Sequence, residues 1–253
     1  MKKIALSLCA LASLSFLDAD MTRVEMGIGG WNQSGSGDIT YTPSSSVSAT
    51  GTYKSSENSQ SEMYIWMLIK HPIPILPNLR VEYVNVEDDG LATGKFENFT
   101  TPSGTPTSLQ LTQYDIIPYY NILDNTAWIT LDLGLDAKIV EAEVVASQTL
   151  DPMGVVGASY TDKDTIVIPL LYGRGRIEIP NTNIGLEADL KYVTYSGSTI
   201  YDGRVKVDYT FDLSGVQPGI ELGYRVQSYD IDDDNTKMDV DFSGVYFGAM
   251  LRF

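Results

Sequence analysis

Among 253 residues the chain carries one cysteine and one histidine. Cys9 lies in the apolar stretch that opens the chain, so residues 20–253 hold no thiol. That excludes a disulfide and any zinc site built on cysteine, whatever the redox state of the compartment. The lone histidine, His71, sits in His71-Pro72-Ile73-Pro74, a proline-rich turn. Positive charge is scarce: 17 Lys and Arg stand against 33 Asp and Glu, for a net charge of −16. Such acidity argues against nucleic acid or a polybasic membrane-surface role. Beyond residue 17 no apolar run is long enough for a helical membrane span.

The opening Met1-Lys2-Lys3 and the apolar Ile4–Leu17 read as a secretory signal peptide, cleaved after Ala19, with Ser15 as the alternative. A lipoprotein reading of Leu6-Ser7-Leu8-Cys9 fits poorly, because Leu8 is bulky and the apolar core before Cys9 is too short. The expected organisation is therefore a signal peptide, 1–19, followed by one all-β domain, 20–253.

What the chain has in abundance is alternation with period two, which puts successive side chains on opposite faces of a strand. In 127–139, Ala127, Ile129, Leu131, Leu133, Leu135, Ala137 and Ile139 share one face. Trp128, Thr130, Asp132, Gly134, Asp136 and Lys138 share the other. The same pattern recurs in 184–192, 204–211, 220–227 and 244–253, and more faintly in 21–31, 61–71, 79–87, 109–120 and 165–179. Ten strands result. Several have an unbroken apolar face and a charged opposite face. A soluble sandwich or barrel explains period two equally well, but it keeps its apolar face inside, where charges are costly. Here the apolar face needs lipid and the charged face needs the interior. The expected fold is an antiparallel, up-and-down transmembrane β-barrel of about ten strands. Short turns (72–78, 121–125, 180–183, 212–217) alternate with longer polar pieces (32–60, 88–108, 146–164) and the short, very acidic 232–237. The piece 196–198 is short where length is expected. This asymmetry suits a barrel in the outer membrane of a Gram-negative bacterium, with both termini at the short-turn end.

The terminal Tyr246, Gly248, Leu251 and Phe253 resemble the assembly signal of outer-membrane barrels, in which the last strand is read by addition to a sheet edge. The start, Val24-Glu25-Met26-Gly27-Ile28-Gly29-Gly30-Trp31, resembles a family of Gram-negative outer-membrane barrels of uncharacterised activity. That resemblance implies fold and location, and carries no catalytic or ligand residues. It also implies contact with outer-membrane lipid and lipopolysaccharide, periplasmic chaperones and the assembly machinery. Gly27 and Gly29 share the inward face with Glu25 and Trp31, where small residues make room for bulky neighbours.

The charged face supplies the candidate lumen lining: Arg174, Arg176, Glu178, Glu187, Asp189, Arg204, Asp208, Glu221 and Arg225. Arg80, Glu25, Glu82, Asp132, Asp136, Lys138, Lys191, Lys206 and Arg252 share it. Two readings stand: an ion-paired interior closing a narrow barrel, or a selectivity lining for a small polar solute. Tyr64, Trp66, Tyr83, Tyr114, Tyr119, Tyr120, Tyr192, Tyr195, Tyr209 and Phe211 are expected in the aromatic girdles at the membrane interfaces. The acidic pieces Glu87-Asp88-Asp89, Asp162-Lys163-Asp164 and Asp230–Asn235 read as solvated loops that hold divalent cations at most weakly, since the glycine and distal glutamate of an EF-hand are missing. No catalytic residue, metal site or cofactor is expected, because a hydrolase working through His71 would need it at the outer rim. The functional choices are a structural or narrow-channel barrel, a surface module acting through 32–60 and 88–108, and, least favoured, a hydrolase. Removal of Phe253 should lower insertion yield more than it lowers the unfolding midpoint of protein already inserted. Normal insertion of the truncated chain would remove the case for a C-terminal signal.

Overall fold

In a bilayer core every backbone N–H and C=O must pair within the protein, so strands can cross only as a closed ring. The computed structural model describes residues 23–42, 50–96, 99–151, 153–213, 215–233 and 235–253, and among them there is no helix. The expected signal peptide, 1–19, and Cys9 lie outside these residues. Eleven strands follow in order: β1 (Arg23–Tyr41), β2 (Gly51–Ser55), β3 (Ser59–Lys70), β4 (Asn78–Lys95), β5 (Thr100–Thr126), β6 (Ile129–Ala146), β7 (Tyr160–Glu178), β8 (Ile184–Tyr195), β9 (Ser198–Thr210), β10 (Gln217–Asp233) and β11 (Thr236–Arg252). Each pairs antiparallel with its neighbours, and β11 pairs with β1 from Glu25↔Arg252 to Tyr41↔Thr236, closing the ring.

β2 and β3 occupy one stave. Both lie between β1 and β4, with Asp38↔Lys54 above and Ser34↔Ser59 below. The chain jogs between them at Glu57, which takes a positive φ of 57° and donates its N–H to Ser55 Oγ at 3.0 Å. The ring thus has ten staves.

The strands are longer than the apolar alternation suggests. Much of 32–60 and 88–108, expected as polar loop, is strand, as is 160–164 of the piece 146–164. The acidic 230–233 likewise continues β10. Backbone ladders need no apolar side chain, so Ser, Thr and Gly pair as well as Leu does. The turn expected at 121–125 is displaced. β5 runs on irregularly past Asn121, and the reversal falls at Ala127 and Trp128, with φ of 52° and 67°. Two successive positive φ values match the twist of a tight hairpin. Trp128 is therefore an exposed turn residue and not part of the inward face.

At about 3.3 Å per residue and a tilt near 40°, the 18-residue β6 rises roughly 45 Å, against an apolar belt of about 25 Å. The excess is accounted for by an inversion partway up. In the lower part of β6 the outward positions are Ile129, Leu131, Leu133, Leu135, Ala137 and Ile139, with Leu133 50% and Leu135 61% exposed. Above them come Glu141 and Glu143. Inward, Asp132, Asp136 and Lys138 give way to Val140, Ala142 and Val144. β4 repeats the exchange, from Arg80 and Glu82 to Val84 and Val86 inside, and from Leu79 and Val81 to Glu87 and Asp89 outside. β5 does so from Asp115 and Gln113 to Leu111 and Leu109. The lower barrel is apolar outside and charged within, as lipid requires. The upper barrel is polar outside and apolar within, as water requires.

Exposed Tyr114, with Tyr83 beside it at 5.4 Å between ring centroids, lies where the outer surface changes character, as does the cross-strand pair Tyr192–Tyr201. Tyr120, Tyr209 and Phe211 are exposed near the turn end. Tyr64, Trp66 and Tyr119, expected in the girdles, are instead buried inside the barrel. Strand parity decides this: Trp66 faces the same way as Tyr64 and Leu68, into the lumen.

Arginine at Leu133 should cost roughly 2–4 kcal/mol of folding stability in lipid vesicles. Arginine at the equally outward Glu141, above the belt, should change stability by less than about 1 kcal/mol. Equal effects would place the membrane boundary elsewhere.

Candidate functional site

The lumen of the lower barrel is where the charged faces of ten staves meet. Eight cationic and eleven acidic side chains are buried among the described residues, so no charge can be relieved by solvent and each needs a partner. The strand registers arrange this for most of them before any side chain bends, whereas neither carboxylate oxygen of Asp136 has a hydrogen-bond partner. β7 sets Arg174 opposite Asp189 and Arg176 opposite Glu187 on β8, and Arg174 opposite Asp132 on β6.

Glu187 is the lower hub. Its carboxylate accepts from Arg174 Nη2 at 2.7 Å, Arg176 Nη1 at 3.3 Å and Arg80 Nη1 at 3.4 Å, with Lys206 Nζ at 3.5 Å. Arg174 also donates to Asp132 at 2.6 Å, and Arg176 grips Asp208 with two parallel bonds of 2.6 and 2.9 Å. Arg204 donates to Asp189 at 2.7 Å. Asp202 is the upper hub. It accepts from Arg225 at 2.5 and 2.9 Å, Gln227 at 3.0 Å, Lys138 at 3.2 Å and Lys191 at 3.4 Å. Lys191 bridges further to Glu82 at 2.7 Å and Asp115 at 2.5 Å, and so binds staves that are distant in sequence.

Aromatic residues close the gaps. Glu221 accepts from Tyr64 Oη at 2.7 Å and Trp66 Nε1 at 2.9 Å, while Lys206 Nζ lies 4.3 Å from the Trp66 ring centroid. Arg225 stands over Trp31 and Arg204 over Tyr246. These rings fit because glycines face them. A methyl on Gly27 would lie 2.3 Å from Trp66 Nε1, and one on Gly248 would lie 2.2 Å from Tyr64 Oη. Between Trp31, Tyr64, Arg204, Arg225 and Tyr246 no space remains for a water molecule.

The nine lining residues inferred from sequence come together here, apart from Glu178. It lies at the turn-end mouth with a third of its side chain exposed, bound to Arg176, Arg23 and Arg252. Asp115 and Asp202 escaped sequence reading although they anchor the upper half. Asp115 is flanked by Tyr114 and Ile116 in a strand broken by Pro118, and Asp202 precedes the clear alternation of β9. Register was the available signal: Asp115 pairs with Glu82 on one side and Lys138 on the other.

Asp88, read as part of a solvated acidic loop, is buried inside the upper barrel. Its carboxylate accepts from Tyr53 Oη at 2.6 Å and Ser55 Oγ at 2.9 Å. Asp230 is exposed on the outer face of β10. No cluster of metal-ligating side chains occurs among the described residues. His71 stays in its turn, where Nε2 donates to Pro77 O at 3.0 Å and Nδ1 accepts from Ile73 N at 3.2 Å. Both ring nitrogens thus serve the turn. Of the terminal residues, Tyr246 and Gly248 point inward and Leu251 outward, and Phe253 exchanges backbone bonds with Val24 at 2.9 and 3.3 Å.

No family model matches the chain, and no curated protein matches it in sequence. In structure it is similar to the outer membrane protease OmpT from Escherichia coli, with a TM-score of 0.53 and 10% identity over 91% of this chain and 96% of that one. It is more loosely similar to the translocator domain of the autotransporter NalP from Neisseria meningitidis, with a TM-score of 0.38 and 13% identity over 98% and 94% of the two chains. The fold is that of an outer-membrane β-barrel.

Glutamine at Glu187 should destabilise the inserted barrel by about 3–5 kcal/mol, because several buried cations lose one shared charge. The same change at rim-exposed Glu178 should cost less than about 1 kcal/mol. Urea unfolding in vesicles measures both, and similar values would remove Glu187 as the hub.

Proposed function

We propose that this chain is an integral outer-membrane barrel whose lumen is sealed by its own ion pairs, and that it is a structural element passing at most small ions. The observation that carries this reading is the packed layer between Trp31 and Tyr246, which leaves no room for water. A ten-stave ring is close in size to the filled eight-stranded barrels and far from open porins. Opposite charges bonded at 2.5–3.4 Å have little left to offer a passing solute, since each transfer would break a buried pair.

Catalysis through His71 is disfavoured because both of its nitrogens are engaged at the turn end, away from the rim. A second reading, surface interaction, draws support from the upper barrel, whose polar outer face stands clear of the belt. The expected binding surface shifts accordingly, because the described parts of 32–60 and 88–108 are mainly staves, while 147–159 is a long connection.

In planar bilayers the refolded protein should give no steps, or steps far smaller than those of an open porin. Changing Arg174 and Arg176 together to glutamine should raise conductance. A large, stable, ion-selective wild-type conductance would overturn the sealed barrel and make the same residues a selectivity lining.

A further inference from the structure

The upper barrel is lined mainly by apolar side chains, yet it is not filled. Val86, Leu111, Val140 and Phe242 pack into a floor that is essentially inaccessible to solvent. Above that floor, Ile39, Phe96 and Val144 also pack against the core but stay only partly buried. Together with Tyr53, Phe99 and Leu109, and with the polar Thr107, Asp162 and Thr236, they surround a cavity of about 180 Å³ just inside the outer mouth. Interiors pack to crystal density, so an apolar space of this size that opens outward is an exception. The Phe96 and Phe99 rings stack at 4.8 Å, and Phe99 meets Tyr160 at 4.9 Å, which gives one wall a flat aromatic surface.

We propose that this chamber binds one small neutral molecule built on a single aromatic ring. Size sets the first limit, because an engineered protein cavity of about 150 Å³ holds benzene. Shape sets the second: a ring offered to stacked phenylalanines gains offset or edge-on contacts beyond its area burial. Charge sets the third. The outer face around the chamber carries Asp89, Glu141, Glu143, Asp239 and Asp241, and the whole chain is strongly acidic, so an anion is repelled. The floor is continuous with the apolar core above the ion-paired layer, so the chamber is a dead end. The ligand enters and leaves from outside and does not cross. This goes beyond the sealed-barrel reading and stands without it.

The probe is 4-bromophenol, neutral below its own ionisation and marked by bromine. In soaked crystals of the full chain, the bromine anomalous signal should fall between Phe99, Leu109 and Val144. In lipid nanodiscs, calorimetric titration should show one saturable site after subtraction of the same titration with Val144→Trp, which fills the chamber. Leu109→Phe, which narrows it from the neighbouring stave where Leu109 pairs with Val144, guards against misfolding of the first variant. Shift of the band on unboiled gels reports the fold of both. Superimposable titrations of wild type and a folded variant would overturn the proposal. So would bromine confined to the lipid-facing surface or the ion-paired layer. Saturable binding of benzyltrimethylammonium without binding of 4-bromophenol would also overturn it, in favour of a cation site. Failure of the sealed barrel would appear separately, as a large wild-type conductance in planar bilayers, whatever the titrations show.

Discussion

An unpaired backbone amide in hydrocarbon costs several kcal/mol, and the rest of this molecule follows from avoiding that cost. Ring closure between β11 and β1 satisfies the edges. Once ten staves close, their inward side chains face one another across a narrow space. The outward face belongs to lipid, so polar residues have only the inside to occupy, and there water is scarce. Arg176 with Asp208, Arg225 with Asp202 and Lys191 with Asp115 are consequences of closure as much as causes of stability. Buried pairs of this kind contribute less net stability than their short distances suggest. They do specify register, because slipping one stave by a residue would turn every charge toward lipid.

The same strands obey the opposite rule a few residues further on. Above the tyrosines the solvent outside is water, so the apolar side chains return to the interior. β5 illustrates this in one continuous ladder: Tyr119, Ile117, Asp115 and Gln113 line the lower lumen, and Leu111 and Leu109 the upper. No bend or insertion marks the change. The backbone is indifferent to it, and only the side-chain pattern moves from one face to the other. The chain therefore joins a membrane barrel to a water-soluble barrel end to end. The ion-paired layer lies in the first, and the aromatic-walled chamber lies at the mouth of the second.

Glycine and aromatic placement follows from the narrowness of the ring. Trp66, Tyr64 and Tyr246 are too large for a ten-stave lumen unless an opposing position lacks a side chain. Gly27, Gly29, Gly248 and Gly223 supply those positions. Gly248 thus has a packing role beneath Tyr64, alongside the part in assembly that its place near the C-terminus suggests. The tyrosine that roofs one glycine is also the donor to Glu221, so ring packing and charge pairing are joined in one contact.

Sequence alone determined the class of fold, the ten staves and which face of each lower stave meets lipid. Period-two alternation is a local property, and Leu131, Leu133 and Leu135 could share only one face. It also assembled the inward charges as a set, because parity places Arg174, Arg176, Glu187 and Asp208 on the same side of the sheet. Tertiary structure alone decided which charge meets which, since Lys191 and Glu82 lie far apart in the chain and meet only across the closed ring. It also decided where membrane ends and water begins along each stave. The upper segments alternate in the reverse sense with small polar residues, a pattern that reads as loop until the neighbouring stave supplies its hydrogen bonds. Asp88 shows the difference: in sequence it is one of three adjacent acids, and in the barrel it is a buried acceptor held by Tyr53 and Ser55, because parity turns it inward while Glu87 and Asp89 face water.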